Sequence, residues 1–130
     1  RLIMTPSAVK FVSPVTLSAL SKNEVIINMF PESDDYSDSE KVETKTWHVN
    51  LGLWADIFVI APATANTIAK IANGFSDNFL LASVLAAKCT LAIAPTMDDD
   101  MYKNPATKRN LERLKETGYK IIDPVDRPGP

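Results

Sequence analysis

One cysteine, Cys89, stands in the whole 130-residue chain, so an internal disulfide framework is excluded and a reducing cytoplasm is the expected setting. Glycine is almost as scarce. Gly52, Gly74, Gly118 and Gly129 lie too far apart to form a glycine-rich loop of the dinucleotide or P-loop kind, so a bound nucleotide would need another phosphate-holding element. Basic runs are missing as well: Lys and Arg number 14 against 16 Asp and Glu, a net charge of −2. That balance gives no general attraction to nucleic acid or to an anionic membrane. Long apolar runs are also lacking. The most apolar stretch, Phe79 to Met97, is broken by Lys88 and meets Pro95, so it reads as helix, turn and strand rather than a membrane span. Histidine occurs once, as His48.

What remains is ordinary for one globular domain: 45% hydrophobic and 23% charged residues. Two segments stand out. Ala61-Pro62-Ala63-Thr64-Ala65-Asn66-Thr67 and Ala94-Pro95-Thr96-Met97-Asp98-Asp99-Asp100-Met101-Tyr102 each begin with Ala-Pro, and each follows a continuous apolar run. Those runs suit parallel strands covered on both faces. In such sheets a ligand lies beyond the carboxyl ends of the strands, so two strands that end alike suggest one crevice.

The rest of the chain alternates. Leu2 to Met4 reads as a strand, followed by a helix from Pro14 to about Leu20 with Ser13 as its cap, and by a short apolar run at Glu24 to Asn28. Pro31 to Thr46 is acidic and reads as a solvated loop. Trp47 to Trp54 then leads into a strand at Asp56 to Ile60. A helix over Asn66 to Asn73 is closed by Gly74, and Ser76 is the expected cap of a second helix reaching Ala87, with Asp77 in its first turn. Thr90 to Ile93 is the next strand. Asn104-Pro105 opens a helix whose buried face is expected at Ala106, Leu111 and Leu114 and which ends at Gly118; Tyr119 to Ile122 is the last strand. This order predicts an α/β fold, a three-layer sandwich with a mostly parallel Rossmann-like or flavodoxin-like sheet and right-handed crossovers.

Candidate site residues follow from position. Thr5 and Ser7, just past the first strand, carry hydroxyls that suit a phosphate, and turn chemistry is the competing role. His48 is a candidate acid or base by its chemistry. It precedes the strand that ends at the first Ala-Pro segment, so it starts at the wrong end of that strand. It reaches the crevice only if a neighbouring subunit supplies the face or if the chain doubles back. Asp98 sits at a strand tip, flanked by Met97 and Met101, whose soft side chains suit either a planar ring or core packing. The three consecutive aspartates lack the glycine and distant glutamate of a calcium loop, so no metal site is expected. Cys89 reads as an inert small core residue.

Together these residues resemble the homo-oligomeric flavin-containing cysteine decarboxylases, above all the decarboxylase half of bacterial bifunctional coenzyme A biosynthesis flavoproteins. The resemblance rests on His48 ahead of Leu51-Gly52-Leu53-Trp54-Ala55-Asp56, on Pro62 to Thr67, which looks like the family's PASANT motif, and on Pro95 to Tyr102, which looks like its PxMNxxMW motif. It implies bound FMN, phosphopantothenoylcysteine as substrate and phosphopantetheine as product. Direct loss of carbon dioxide from an N-acyl cysteine would leave an unstabilised carbanion. The family's flavin provides the electron sink by oxidising the thiol to a thioaldehyde, and afterwards reduces the ene-thiolate. By resemblance His48 handles the proton; Thr64, Ala65, Asn66 and Thr67 contact the flavin, with Thr5, Ser7 and Phe11 at its phosphate and ring; Asp98, Met97 and Met101 face the substrate. A homotrimer or dodecamer with shared active sites is implied, with fusion to a phosphopantothenate-cysteine ligase domain as a family habit.

Three departures from the family pattern matter. Asp98 replaces an asparagine that binds the substrate carboxylate, and two ionised carboxylates repel each other. Either the carboxyl stays protonated, or neighbouring backbone N–H groups hold the substrate, or the activity is weakened. The family's N-terminal Gly-Ser phosphate loop is not in this chain, nor is the C-terminal substrate clamp with its proton-donating cysteine. The chain is therefore expected to be one flavoprotein decarboxylase domain, 1–130, lacking its first strand-loop-helix and its clamp. The alternatives are a flavin prenyltransferase of the same fold and a non-catalytic FMN-binding regulator.

Overall fold

The computed structural model describes residues 1–28 and 50–125, and only the backbone of 47–49. The acidic segment expected to be a solvated loop, Pro31 to Thr46, lies outside the described residues, as does the proline-rich end from 126 onward.

The chain opens with β1 (Leu2–Ile3), a 3-10 turn at Ala8–Lys10, α1 (Pro14–Ser21) and β2 (Val25–Ile26). Ser13 precedes α1 in an extended conformation, but its side chain makes no capping hydrogen bond, so Pro14 with its preset φ carries the start of that helix. β1 and β2 pair in parallel, Leu2 with Val25 and Ile3 with Ile26.

After the undescribed segment come α2 (Trp47–Trp54), β3 (Ile57–Ala63), α3 (Ala65–Ala72), α4 (Phe79–Ala86), β4 (Thr90–Pro95), α5 (Asp99–Lys103), α6 (Pro105–Thr117) and β5 (Lys120–Ile121). β4 is central in a parallel three-stranded sheet, between β3 and β5. The expected α/β fold with parallel sheets is what the chain forms. Both strands outrun their predicted ends: β3 runs through Ala61-Pro62-Ala63 and β4 through Ala94-Pro95.

The helix boundaries show which local signal prevails. α4 is capped by Asn78, whose side-chain oxygen accepts from the Leu81 N–H at 2.8 Å, and not by Ser76. Asp77 is not in its first turn; its carboxylate instead pairs with Lys70 at 2.7 Å. In α6 the buried stripe is Thr107, Leu111 and Leu114, an i, i+4, i+7 set, which leaves Ala106 exposed rather than inward. Asn104 caps α6 as expected, accepting from the Ala106 N–H at 2.9 Å. Gly74 and Gly118 follow α3 and α6 with φ of +73° and +104°, values that a side chain disfavours, which is why the helices stop there.

One core joins these elements. Ile60 of β3 and Ile93 of β4, which are register partners, pack with Ile68 and Ile71 of α3, Leu80, Leu81 and Val84 of α4, and Leu111 and Leu114 of α6. Ile3 of β1 packs against the same cluster. The opposite face of β3 is open: Ile57 is 58% and Val59 50% exposed. A parallel strand usually has both faces covered, so this apolar face is a surface still to be filled. No helix among the described residues is long and apolar enough to cross a membrane.

Candidate functional site

The two Ala-Pro segments end neighbouring parallel strands, and a hydrogen bond ties them together. Ala63 is in register with Pro95, which has no N–H to give, so the Thr96 N–H donates to the Ala63 carbonyl at 2.9 Å. The register shifts between Ile60 and Ala63, across a cis Ala61-Pro62 bond. The carboxyl ends of β3 and β4 therefore open on one shared rim.

On the β3 side, Thr64 is the cap of α3. Its hydroxyl accepts from the Thr67 N–H at 3.2 Å and lies 3.3 Å from the Thr67 hydroxyl. Ala65 and Asn66 occupy the first helical turn, whose N–H groups have no partner within a helix, and Asn66 is exposed. The amphipathic helix behind them is held by Ile68 and Ile71 in the core.

On the β4 side, Asp98 precedes α5 in an extended conformation and is exposed, and its side chain makes no capping bond. Asp99 forms an ion pair with Lys103, and Asp100 is exposed. No group of metal-ligating side chains occurs among the described residues. Met97 packs against the core, while Met101 is exposed. Tyr102 also packs against the core, with the Lys108 ammonium 3.9 Å from its ring centre. Burial raises its phenol above the ordinary tyrosine range, and the Asp123 carboxylate adds to that.

The first loop adds side chains of the expected kinds. Thr5 accepts from the Ala8 N–H at 3.1 Å, which is turn chemistry; Ser7 is exposed, and Phe11 is 86% exposed. His48 lies in the first turn of α2, a helix where the sequence predicts only a lead-in to the strand. Ala55 and Asp56 alone separate α2 from β3. His48 therefore stands away from the start of β3, about 9 Å of helix rise before Trp54. A cleft along α6, lined by Tyr102, Lys108, Arg109, Leu111, Glu112 and Lys115, contains none of the expected site residues.

A family model described as "Flavoprotein" matches residues 1–128. The chain belongs to the flavoprotein family. This flavoprotein is 50% identical over 113 residues to a cysteine/cysteine sulfinic acid decarboxylase from an unknown prokaryotic organism, covering 87% of the chain and 29% of that protein. It is 44% identical over 126 residues to the coenzyme A biosynthesis bifunctional protein CoaBC of Bacillus subtilis, with 97% and 29% covered. Among solved structures, the FMN-dependent cysteine decarboxylase SpaF superposes with a TM-score of 0.82 at 38% identity, covering 95% of this chain and 66% of that one. The chain thus spans under a third of the length of the two curated relatives. The first curated relative and the solved neighbour are decarboxylases by name, and the solved neighbour has the Rossmann-like flavoprotein fold.

Three features of the site escaped sequence reading. The Thr96 to Ala63 bond joins residues 33 positions apart, and the packing of α2 on α4 is equally non-local. The Asn78 cap had a local signal, since asparagine ranks with serine at that position.

Proposed function

We propose that this flavoprotein is an FMN-dependent decarboxylase that converts phosphopantothenoylcysteine to phosphopantetheine in coenzyme A biosynthesis. The observation that carries the reading is the bonded pair of strand-end segments, whose residues follow the two family motifs in order. The likeness to CoaBC over 97% of the chain supports it.

The residues present fit a flavin mononucleotide. Phe11 offers an exposed aromatic face, Asn66 an exposed amide, Thr5 and Ser7 hydroxyls, and the α3 N-terminus N–H donors beside Thr64 and Thr67. When bound, FMN supplies the electron acceptor and donor that decarboxylation of an N-acyl cysteine needs. The chain's own residues then divide the remaining work. Thr64, Ala65, Asn66 and Thr67 hold and orient the cofactor; His48 takes and returns a proton at the substrate thiol; Asp98, with Met97 and Met101 beside it, borders the substrate.

The active site is shared between copies in a homotrimer or a dodecamer, and the full protein carries a strand-loop-helix and a substrate clamp outside these 130 residues. Support comes from the structure's unfilled surfaces. β1 pairs only with β2 and β3 only with β4 among the described strands, so each leaves a free edge, and Ile57 and Val59 await a cover. Leu53 and Trp54 are exposed apolar groups of α2, the same helix that carries His48. Fusion to a ligase domain is supported by the length of the CoaBC relatives.

A second reading, decarboxylation of free cysteine or its sulfinate, is favoured by the 50% identity to a protein of that name. One experiment separates the two. Purified full-length protein is examined for flavin absorbance and for carbon dioxide release from phosphopantothenoylcysteine, cysteine and cysteine sulfinate. A yellow protein that turns over the phosphopantothenoyl substrate best supports the first reading. Preference for free cysteine moves the assignment to the second, and a protein that stays colourless with added FMN refutes both.

A further inference from the structure

We infer that Gly52 is a positioning residue: it lets α2 seat its backbone directly on the end of α4, and that seat fixes where His48 stands. The inference rests on the proposed role of His48. Gly52 is buried within α2. A Cβ added there would lie 2.9 Å from both the carbonyl carbon and the carbonyl oxygen of Ala86, and 3.1 Å from the Cα of Ala87. All three atoms are backbone, so no side-chain rotation relieves the overlap; one helix has to move.

α4 is the fixed partner. Every residue from Phe79 to Val84 is buried, and Leu80, Leu81 and Val84 belong to the central cluster. α2 is held less firmly, since Leu53 and Trp54 at its end are exposed. A side chain at position 52 therefore lifts α2, by about 0.5 Å if ordinary contact is to be regained. His48 stands one helical turn before Gly52, and a helix carries such a displacement along its length. Glycine is a poor helix former, so its presence inside an eight-residue helix is a local cost that the close crossing accounts for.

The test compares Gly52→Ala with two controls in the full-length protein: Leu85→Ala, an exposed residue of α4 next to the contact, and Ile71→Val, a core change on α3. The histidine imidazole signal is followed by NMR and assigned by its loss in His48→Asn; flavin content, kcat and KM are measured alongside. Gly52→Ala is expected to shift the His48 signal and to lower kcat roughly tenfold, the scale of a sub-ångström misplacement of a reacting group. Flavin content and KM should stay within about twofold, and neither control should move the signal. A Gly52→Ala protein whose His48 signal coincides with that of the parent overturns the inference, as does an equal shift in Ile71→Val at matched flavin content. If the signal moves but the parent releases no carbon dioxide from any substrate, the seat stands and the decarboxylase reading fails.

Discussion

Replacing Thr64 separates two jobs that one hydroxyl is argued to do. As the cap of α3, its oxygen accepts from the Thr67 N–H at 3.2 Å. Losing such a cap costs about 1 kcal/mol, within a range of roughly 0.5–2. The helix itself should persist, because Ile68 and Ile71 stay buried in the core. For a domain of this size that cost lowers Tm by about 4 °C. In the flavin complex the same hydroxyl is proposed to touch the cofactor, and loss of a hydrogen bond worth about 1 kcal/mol weakens FMN binding roughly fivefold. Thermal unfolding of the flavin-free protein reads the first effect, and fluorescence titration with FMN reads the second. Thr64→Ala should show both, whereas Thr64→Ser, which keeps the oxygen, should show neither to a comparable degree. If Thr64→Ala leaves the flavin-free Tm within about 1 °C of the parent, the cap argument is wrong. If its Tm drops while FMN affinity is unchanged, the β3 rim is not the cofactor side.

Other expected outcomes can be checked singly. His48→Asn should abolish carbon dioxide release while FMN stays bound; undiminished turnover would remove His48 from the mechanism. Asp98→Asn, which restores the family residue, should raise kcat/KM for phosphopantothenoylcysteine if the carboxylate repels the substrate, and a fall would show that the acid is used. Leu81, 1% exposed in the core, should cost roughly 3–5 kcal/mol when cut to alanine, measured by urea unfolding. Burial alone raises the Tyr119 phenol above the ordinary tyrosine range. The stability this group contributes is therefore fully present below the unfolded tyrosine value of about 10 and is lost as pH rises toward its folded value. Tyr119→Phe should flatten the decline of stability at alkaline pH, and an unchanged slope would show that the phenol is not desolvated.

Much of the local structure was legible because its causes are local. Pro14 and Asn104-Pro105 start α1 and α6, Gly74 and Gly118 follow the ends of α3 and α6, and continuous apolar runs mark β3 and β4. The structure departs from the local pattern where two local signals compete, or where a partner distant in sequence decides. Ser76 and Asn78 are both good caps, and Asp77 was drawn off by Lys70, seven residues earlier. Trp47 to Trp54 has apolar groups all round, so periodicity could not declare it a helix; packing against α4 made it one.

The candidate site divides in the same way. The chemical inventory is legible along the chain: one histidine, two Ala-Pro segments, a hydroxyl and amide set after β3, and an aspartate after β4. Residue type and order along the chain suffice for that, because a motif is a statement about neighbours. Only the tertiary structure decided that the two segments share a rim, since Pro95 cannot donate and the Thr96 N–H reaches the Ala63 carbonyl in its place. Only the structure made Trp47–Trp54 a helix packed on α4, and with it set where the His48 backbone stands. Those are contacts between segments far apart in sequence, set by burial of one common core, and no local pattern encodes them.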